Sequence, residues 1–254
     1  MCESKNNLKK NVMNNNLHKT LTLLLLIIAN NLNATNTQIR NIALENQSTI
    51  DAARVINAVA SESADKAWAE SSDPTGTTVW EHGFIVVRIK TVTKVGKSKV
   101  IKYEIKVKNY KKGSSGSIDI DLNVEENEEI VAVVHTHPYS EQEGGYTGVG
   151  FSALDIFSMS YNIKKNYVML VESGNKRFFL VIENKKQVKK FFKNNSEKNI
   201  QKDYQKIFES TEGTFQEKVQ TAVAGILLNS GMRCYVFDKE KQNFTEITIT
   251  SPRK

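Results

Sequence analysis

Two histidines stand at the end of a run of five aliphatic residues. The run, residues 130–134, leads into His135, Thr136, His137 and Pro138. Five consecutive aliphatic residues predict a central strand covered on both faces, and Pro138, which has no backbone N–H, marks where its pairing ends. Because side chains alternate along a strand, His135 and His137 project to the same side. Two imidazoles on one side of a strand end could ligate one metal ion.

Ser152 and Asp155 supply the second half of the candidate site. They follow a glycine-rich loop and open a helix predicted from Ser152 to about Lys164. Residues three apart share a helical face, so the hydroxyl and the carboxylate can both point towards the histidines. Two His and one Asp leave a fourth position open on a zinc ion. This is the ligand count of a catalytic zinc that carries a water, whereas structural zinc sites are usually closed by four protein ligands.

Each half of this pattern also has a purely structural interpretation. A His-x-His pair at a strand end is a loose motif. Ser152 is a good N-cap, and an acidic residue three positions later completes a capping box that the helix dipole also favours. The conjunction favours a metal site, because both halves lie in one strand-loop-helix unit of a chain with four histidines.

Taken together, these residues resemble the signature of the JAMM (MPN-plus, JAB-like) zinc metalloproteases. The region from about Ala60 to Leu180 most resembles the bacterial JAB-like toxin domains. The resemblance implies that Zn²⁺ is held by His135, His137 and Asp155, and that Ser152 helps to stabilise an oxyanion. It also implies that an upstream glutamate serves as general base and acid. The matching position is Glu81, just before a predicted strand.

The sequence departs from the family motif at one point, and the family itself offers an alternative to an enzyme. The segment 139–151 between the two halves is longer than in the usual family motif, which implies a different substrate-facing loop. Some members of the family are catalytically inactive and act as protein-binding scaffolds, so such a scaffold is the alternative to a peptidase or isopeptidase. Glu104, Glu143 and His82 are the other residues that could serve as the base.

The remaining patterns predict an α/β fold, and the resemblance implies a JAMM-like mixed curved β-sheet flanked by helices. Strands are predicted at 79–90, around 101–107, at 118–122 and at 130–135, and a hairpin at 167–183 surrounds Gly174 and Asn175. Further helices at 187–193, 200–208 and 216–229 and a hairpin from Met232 to Thr250 form an additional C-terminal region.

The glycine-rich loop 141–150 has two interpretations. It lacks the Gly-Lys-Ser/Thr ending of a phosphate-binding loop, so it is poor evidence for nucleotide binding. It is either a connector or a flap that closes over the site, since four glycines beside a metal would let a substrate backbone approach closely.

The N-terminus has the pattern of a targeting segment. An apolar core of about nine residues, 21–29, follows Lys19; it is too short to span a bilayer but fits a secretory signal peptide with cleavage after Ala34. We therefore expect an exported, periplasmic or secreted protein without a stable membrane anchor after cleavage. The predicted division is a signal peptide at 1–34, a helical segment at 35–70, the metallopeptidase domain at 71–185 and C-terminal helices with a hairpin at 186–254, which could pack on the same core.

The charge and the cysteine content limit the classes of partner and of enzyme that the sequence predicts. The formal net charge is +7, and removal of residues 1–34 leaves a modest excess of positive charge. The remaining lysines stand on alternating strand positions, as on a solvated face. The chain lacks the aromatic and arginine pattern of proteins that bind single-stranded nucleic acid. We expect a protein or peptide substrate and no nucleic acid, and the toxin resemblance implies a cognate immunity protein or a secretion partner.

A zinc base deaminase needs a Pro-Cys-x-x-Cys that the chain lacks, and Cys234 lies in an apolar strand typical of inert core.

Overall fold

The computed structural model describes residues 48–248 apart from 74, 97 and 164–166, with no side chain described for residue 162. Within this range the chain forms one seven-stranded sheet and five α-helices. The strands are β1 His82–Val95, β2 Ser98–Lys112, β3 Glu128–Thr136, β4 Val168–Ser173, β5 Lys176–Ile182, β6 Met232–Asp238 and β7 Asn243–Glu246. The helices are α1 Thr49–Ala69, α2 Ala153–Ser158, α3 Lys185–Asn194, α4 Glu197–Ser210 and α5 Phe215–Leu227. The α/β class and the mixed sheet flanked by helices are confirmed.

The sheet is open and mixed, in the order β2-β1-β3-β4-β5-β6-β7. Only β3 and β4 run parallel, because the chain between them returns through a long loop and α2; the other neighbours pair antiparallel. The predicted central strand is confirmed, since β3 lies between β1 and β4 and its residues 130–136 are all buried. The hairpin of β4 and β5 is also confirmed, with Gly174 at a φ of 70° in its two-residue turn.

Helices cover both faces of the sheet. On one face α1 packs through a stripe of mostly small residues, which lets the helix approach the strands closely; the stripe comprises Ala53, Ile56, Ala60, Ala64 and Ala67. The other face is covered by α2 and the three C-terminal helices, whose Val188, Ile200 and Val219 join the same buried cluster as β1, β3 and β4. Residues 186–246 therefore contribute to the core that lies behind β3.

A group of charges that includes the buried Glu172 and Arg177 and the exposed Asp65 ties α1 to the sheet. The Glu172 carboxylate of β4 pairs with Arg177 Nε at 2.6 Å and with Lys239 Nζ at 2.6 Å. Both cations also pair with Asp65 of α1, at 2.7 Å each. The two positive and two negative charges balance, which is the condition under which charges can be buried without a large cost. The group fixes β4 beside the end of β3.

The predicted strand at 118–122 is wrong. Residues 117–125 form neither a helix nor a strand; Ile118, Ile120 and Leu122 are partly buried while the residues between them are exposed, as the alternation predicts. The segment forms no backbone ladder, however. Hydrogen bonds from side chains of β2 hold the segment instead. Asn109 Nδ2 donates to the carbonyl of Asp121 at 2.8 Å, and Lys111 Nζ donates to the carbonyl of Asp119 at 2.7 Å. Alternation therefore identified the buried face but not the absence of a pairing partner.

Other boundaries differ from the predictions. The helix predicted from Ser152 to about Lys164 is a short α2 followed by a 3₁₀ turn at Met159–Asn162. The first two strands are longer than predicted, and the last strand ends at Glu246. The predicted signal peptide at 1–34 and the helical residues before 48 lie outside the described residues. Among the described residues, no helix has the length and apolarity needed to cross a membrane.

Candidate metal centre

The pairing of β1 with β3 positions the residues at the base of the candidate site. Gly83 pairs with His135, and the backbone N–H of His82 donates to Thr136 Oγ1 at 2.9 Å. Residues opposite each other in an antiparallel pair share a face, and faces alternate with period two. Continuing this register by two residues sets Glu81 opposite His137, on the face that carries His135. His82 belongs to the other face.

Three side chains converge at the end of β3. His135 Nε2 lies 3.0 Å from Asp155 Oδ1, and His137 Nε2 lies 3.2 Å from Asp155 Oδ2. The two Nε2 atoms are 3.1 Å apart. One possible ligand atom from each residue lies within 4.8 Å of the others. Among the described residues, this is the one group of three or more His, Cys, Asp or Glu side chains with the geometry to hold a metal ion.

The backbone of the following loop sets the tautomer of His137. Its Nδ1 lies 2.9 Å from the carbonyl oxygen of Gly150, which can only accept, so Nδ1 carries the proton. Nε2 of the neutral ring is then a lone-pair donor aimed at Asp155 and His135. A metal-ligating histidine typically donates its second ring N–H to a carbonyl or carboxylate in this way. The contact with Gly150 was not predicted, and no side-chain motif marks it.

Asp155 is positioned by the start of its own helix. Ser152 is the N-cap of α2, and its hydroxyl and backbone N–H both donate to Asp155 Oδ2, at 2.7 Å each. The Asp155 N–H returns a bond to Ser152 Oγ at 3.2 Å. The capping box is therefore present, and so is the metal-ligating geometry. Because Oδ2 already accepts two hydrogen bonds, Oδ1 is the less committed oxygen of the carboxylate.

The electrostatics of the group favour charge on the carboxylate. Burial alone would raise the pKa of Asp155, but the imidazoles of His135 and His137 offset it and hold the pKa well below the usual range. Burial would likewise lower the pKa of His137, yet the adjacent Asp155 carboxylate raises it overall. The three groups thus form a site that could hold a metal cation.

Glu81 lies in the same cavity as these three residues. Its backbone is fixed by two bonds to the 113–127 segment: its N–H donates to Ser114 at 2.8 Å, and its carbonyl accepts from Gly113 at 2.7 Å. Burial raises the pKa of Glu81, although the nearby His135 and His137 act in the opposite direction. A partly desolvated carboxylate beside a candidate metal site is a candidate for proton transfer.

The rival candidates for the base occupy other positions. His82 is buried on the opposite face of β1, with Nδ1 3.1 Å from the Tyr110 hydroxyl, so it does not join the group. Glu104 is exposed on β2 and pairs with Lys106. Glu143 lines the cavity, but its Oε2 accepts from the N–H and hydroxyl of Ser140 at 2.9 and 2.8 Å, in a second capping box.

An open cleft of about 650 Å³ lies above the site. One wall is formed by residues 115–120 and Leu122, and the other is formed by the α2 region with the exposed side chains Leu154 and Tyr161. Gly83 allows the first wall to approach, since a Cβ there would lie 2.6 Å from Ile120 Cδ1 and 2.8 Å from the carbonyl oxygen of Val134. The alternation at 118–122 was the available sequence signal for this wall, but it gave no indication that the segment borders the site.

The glycine-rich loop is anchored at several points. Gly148 N–H donates to the Ser173 carbonyl at 2.7 Å, and Val149 N–H donates to Ser173 Oγ at 3.0 Å. Tyr146 stacks on Phe215 of α5 with ring centroids 4.4 Å apart. These contacts tie the loop to β4 and to the C-terminal helices, as the connector interpretation expects. They also hold Gly150 where its carbonyl accepts from His137.

Neither a family model, nor a curated protein, nor a solved structure matches the chain.

Proposed function

We propose that the chain is an exported zinc-dependent amide hydrolase, a peptidase or isopeptidase of the JAMM type. The observation that carries the proposal is the convergence of His135, His137 and Asp155 beside Glu81 in one open cleft. Three ligands and a neighbouring carboxylate of raised pKa are the components of metal-assisted hydrolysis. The JAMM resemblance adds support because it assigns the same residues to the same roles.

The donor set suits zinc. Nitrogen and oxygen ligands of a tetrahedral zinc lie about 2.0–2.2 Å from the metal, which separates any two of them by about 3.3–3.6 Å. His135 Nε2 lies 3.1 Å from His137 Nε2 and 3.0 Å from Asp155 Oδ1, and one ligand atom from each of the three residues lies within 4.8 Å of the other two. Gly150 and Ser152 hold His137 and Asp155 from behind, as outer partners of metal ligands do. When bound, the zinc would supply a nucleophilic water at neutral pH and stabilise negative charge on the attacked carbonyl.

Residues of the chain would carry out the proton transfers and orient the ligands. Glu81 would accept the proton of the attacking water and return it to the leaving amine, which is the role of a general base and then of a general acid. Ser152 positions Asp155 through its hydroxyl and N–H. The part of Ser152 in stabilising an oxyanion requires its hydroxyl to turn away from Asp155.

The cleft fits an extended amide substrate. It is open to solvent, its walls present Ile118, Ile120 and Leu154, and its floor carries the polar group. Apolar walls around a few convergent polar groups are typical of ligand sites. A peptide, an isopeptide-linked protein and a peptidoglycan cross-link all present an amide to this chemistry. A toxin or effector role, with an immunity protein or secretion partner, is part of the same proposal.

The test is metal content followed by a hydrolysis screen. The purified protein is expected to contain about one zinc per chain by elemental analysis and to cleave at least one of the three amide classes. A chelator should abolish this activity, and added zinc should restore it. Absence of bound metal together with absence of hydrolysis would instead support the inactive protein-binding scaffold. Stoichiometric iron would redirect the assignment, since two histidines and one carboxylate are also the ligands of non-haem iron oxygenases.

A further inference from the structure

The first two strands extend far beyond the body of the sheet. The pairing of β1 with β3 ends at Ile89, whereas its pairing with β2 continues from Lys90 opposite Tyr103 to Val95 opposite Ser98. Six residue pairs at about 3.3 Å per residue give a two-stranded projection of about 20 Å. All side chains described between residues 90 and 102 are exposed. We name residues 90–103 the β-arm.

The β-arm carries positive charge alone. Its fourteen residues include five lysines, of which Lys97 lies outside the described residues, and no Asp or Glu. Two of the lysines, Lys94 and Lys99, are direct cross-strand partners. Like charges placed opposite each other destabilise a strand pair, and a two-stranded hairpin is marginally stable in water at best. An anionic surface would relieve this repulsion.

Aliphatic side chains share the β-arm with the lysines. Val92, Val95, Val100 and Ile101 are between 41% and 60% exposed. Val92 and Ile101 are paired and lie on one face, whereas Val100, paired with Thr93, and Val95 lie on the other, because faces alternate along each strand. Lysines at the edge of a sheet protect it from aggregation, but that role does not require exposed Val and Ile on both faces.

We propose that the β-arm docks the protein on an anionic lipid surface. Its lysines would contact lipid phosphates, while the aliphatic side chains enter the boundary between headgroups and acyl chains and the lysine stems extend along it. A folded protein partner would cover one face of the ribbon, whereas a lipid layer surrounds both. Nucleic acid would satisfy the lysines but leave the aliphatic side chains in water.

Docking by the β-arm would leave the cleft accessible. β1 begins beside Glu81 at the metal centre and ends in the β-arm, so the two lie at opposite ends of the same strand. Between them, β1 pairs with β3 over residues 83–89. The inference does not depend on the proposed chemistry of the cleft. Attachment would be peripheral and sensitive to salt, since exposed charges are screened by added ions.

Vesicle flotation of the full chain tests the proposal. The probes are phosphatidylcholine vesicles with and without about one-third phosphatidylglycerol. Binding to the anionic vesicles should exceed binding to the neutral ones. Lys94→Gln with Lys99→Gln should lower the affinity for anionic vesicles about 30-fold, from about a factor of five per lysine. Val92→Ser with Ile101→Ser should lower it about tenfold, through lost apolar contact.

The matched control is Lys189→Gln with Lys190→Gln. It removes the same charge from exposed positions of α3, a basic helix whose apolar side chains pack on the core, and should leave binding within about twofold of the wild type. A chain in which Asn-Gly replaces residues 92–101 keeps a two-residue hairpin turn and should bind more weakly than either double variant, because it loses both the lysines and the aliphatic side chains. The N-terminal apolar segment is common to all variants, so differences between them report the β-arm. Circular dichroism checks that each variant is folded.

Several results would overturn the proposal. One is anionic binding that survives removal of the β-arm, and another is an equal loss in the α3 control, which would indicate diffuse attraction between opposite charges. A third is tighter binding to duplex DNA than to anionic vesicles, with no effect of Val92→Ser and Ile101→Ser on the DNA affinity. That result would assign the β-arm to nucleic acid.

Discussion

The first turns of α2 and α5 are built from the same local hydrogen bonds, but their surroundings differ. At α5 the Thr214 hydroxyl and N–H donate to Glu217 Oε2, at 2.8 Å each. At α2 the Ser152 hydroxyl and N–H donate to Asp155 Oδ2, at 2.7 Å each. Glu217 is exposed, whereas the Asp155 carboxylate is 16% exposed and faces two histidines. A capping box therefore identifies a helix start, and only a strand that ends beside it, as β3 does at α2, brings histidines to the carboxylate.

The largest difference between the two boxes should appear in metal binding. Asp155→Asn keeps the side-chain shape but removes the negative charge and one ligand oxygen, so zinc affinity should fall by more than about 100-fold, beyond the loss typical of an outer partner. Glu217→Gln makes the same chemical change at α5 and should leave zinc affinity unchanged. Competition titration against a chromophoric chelator measures both. Equal affinities in the two variants would show that Asp155 is not a ligand.

A second comparison separates Glu81 from Glu143, two carboxylates that line the same cleft. Glu81→Gln should retain the zinc while the rate of amide hydrolysis falls about 100- to 10,000-fold, because the base is lost and the ligands are intact. Glu143→Gln should retain zinc and most of the activity, since Glu143 is engaged with Ser140. Glu104→Gln on the surface and His82→Ala on the opposite face of β1 are the further controls. A reversed result for Glu81 and Glu143 would move the base assignment to the loop.

The sequence was sufficient to predict those features that depend on a single helix or strand and the residues next to it in the chain. The run 130–134 predicted β3, its alternation placed His135 and His137 on one side, and the capping pattern predicted the start of α2. The proposed partner of this group, Glu81, could be chosen by the JAMM resemblance but not by local pattern. Its place is set by the pairing of Gly83 with His135, between strands about 50 residues apart.

The parts that were missed depend on contacts between distant segments. Residues 118–122 alternate as a strand does, but alternation reports burial on one side and not whether a neighbour is present to pair with. The length of the β-arm was missed for a related reason, because exposed lysines and valines give no signal of where β3 ends beside them. The contact of Gly150 with His137 involves a backbone carbonyl, for which sequence gives no residue-type signal.

A smaller effect is expected from removing the capping hydroxyls. Ser152→Ala and Thr214→Ala should each lower the free energy of unfolding by about 0.5–2 kcal/mol, the usual cost of losing an N-cap hydroxyl. Only Ser152→Ala should also weaken zinc binding, by about 10- to 100-fold, because Ser152 orients the ligand carboxylate. Chemical denaturation gives the first quantity, and zinc titration gives the second. Unchanged zinc affinity in Ser152→Ala would mean that the histidines alone orient Asp155.

The smallest expected effect is the pH dependence of the α5 capping box. Hydrogen bonds from the backbone and hydroxyl of Thr214 lower the pKa of Glu217 below its ordinary value of 4.5. A carboxyl whose pKa is lower in the folded chain binds fewer protons when folded, so its stabilising contribution is complete above the unfolded value and is lost as pH falls through the folded value. The Tm of the wild type should therefore exceed that of Glu217→Gln by a small, constant amount near neutral pH. The difference should shrink below about pH 4. Thermal unfolding of both proteins across this range measures it, and a difference that persists undiminished in acid would show that the charge of Glu217 does not stabilise the box.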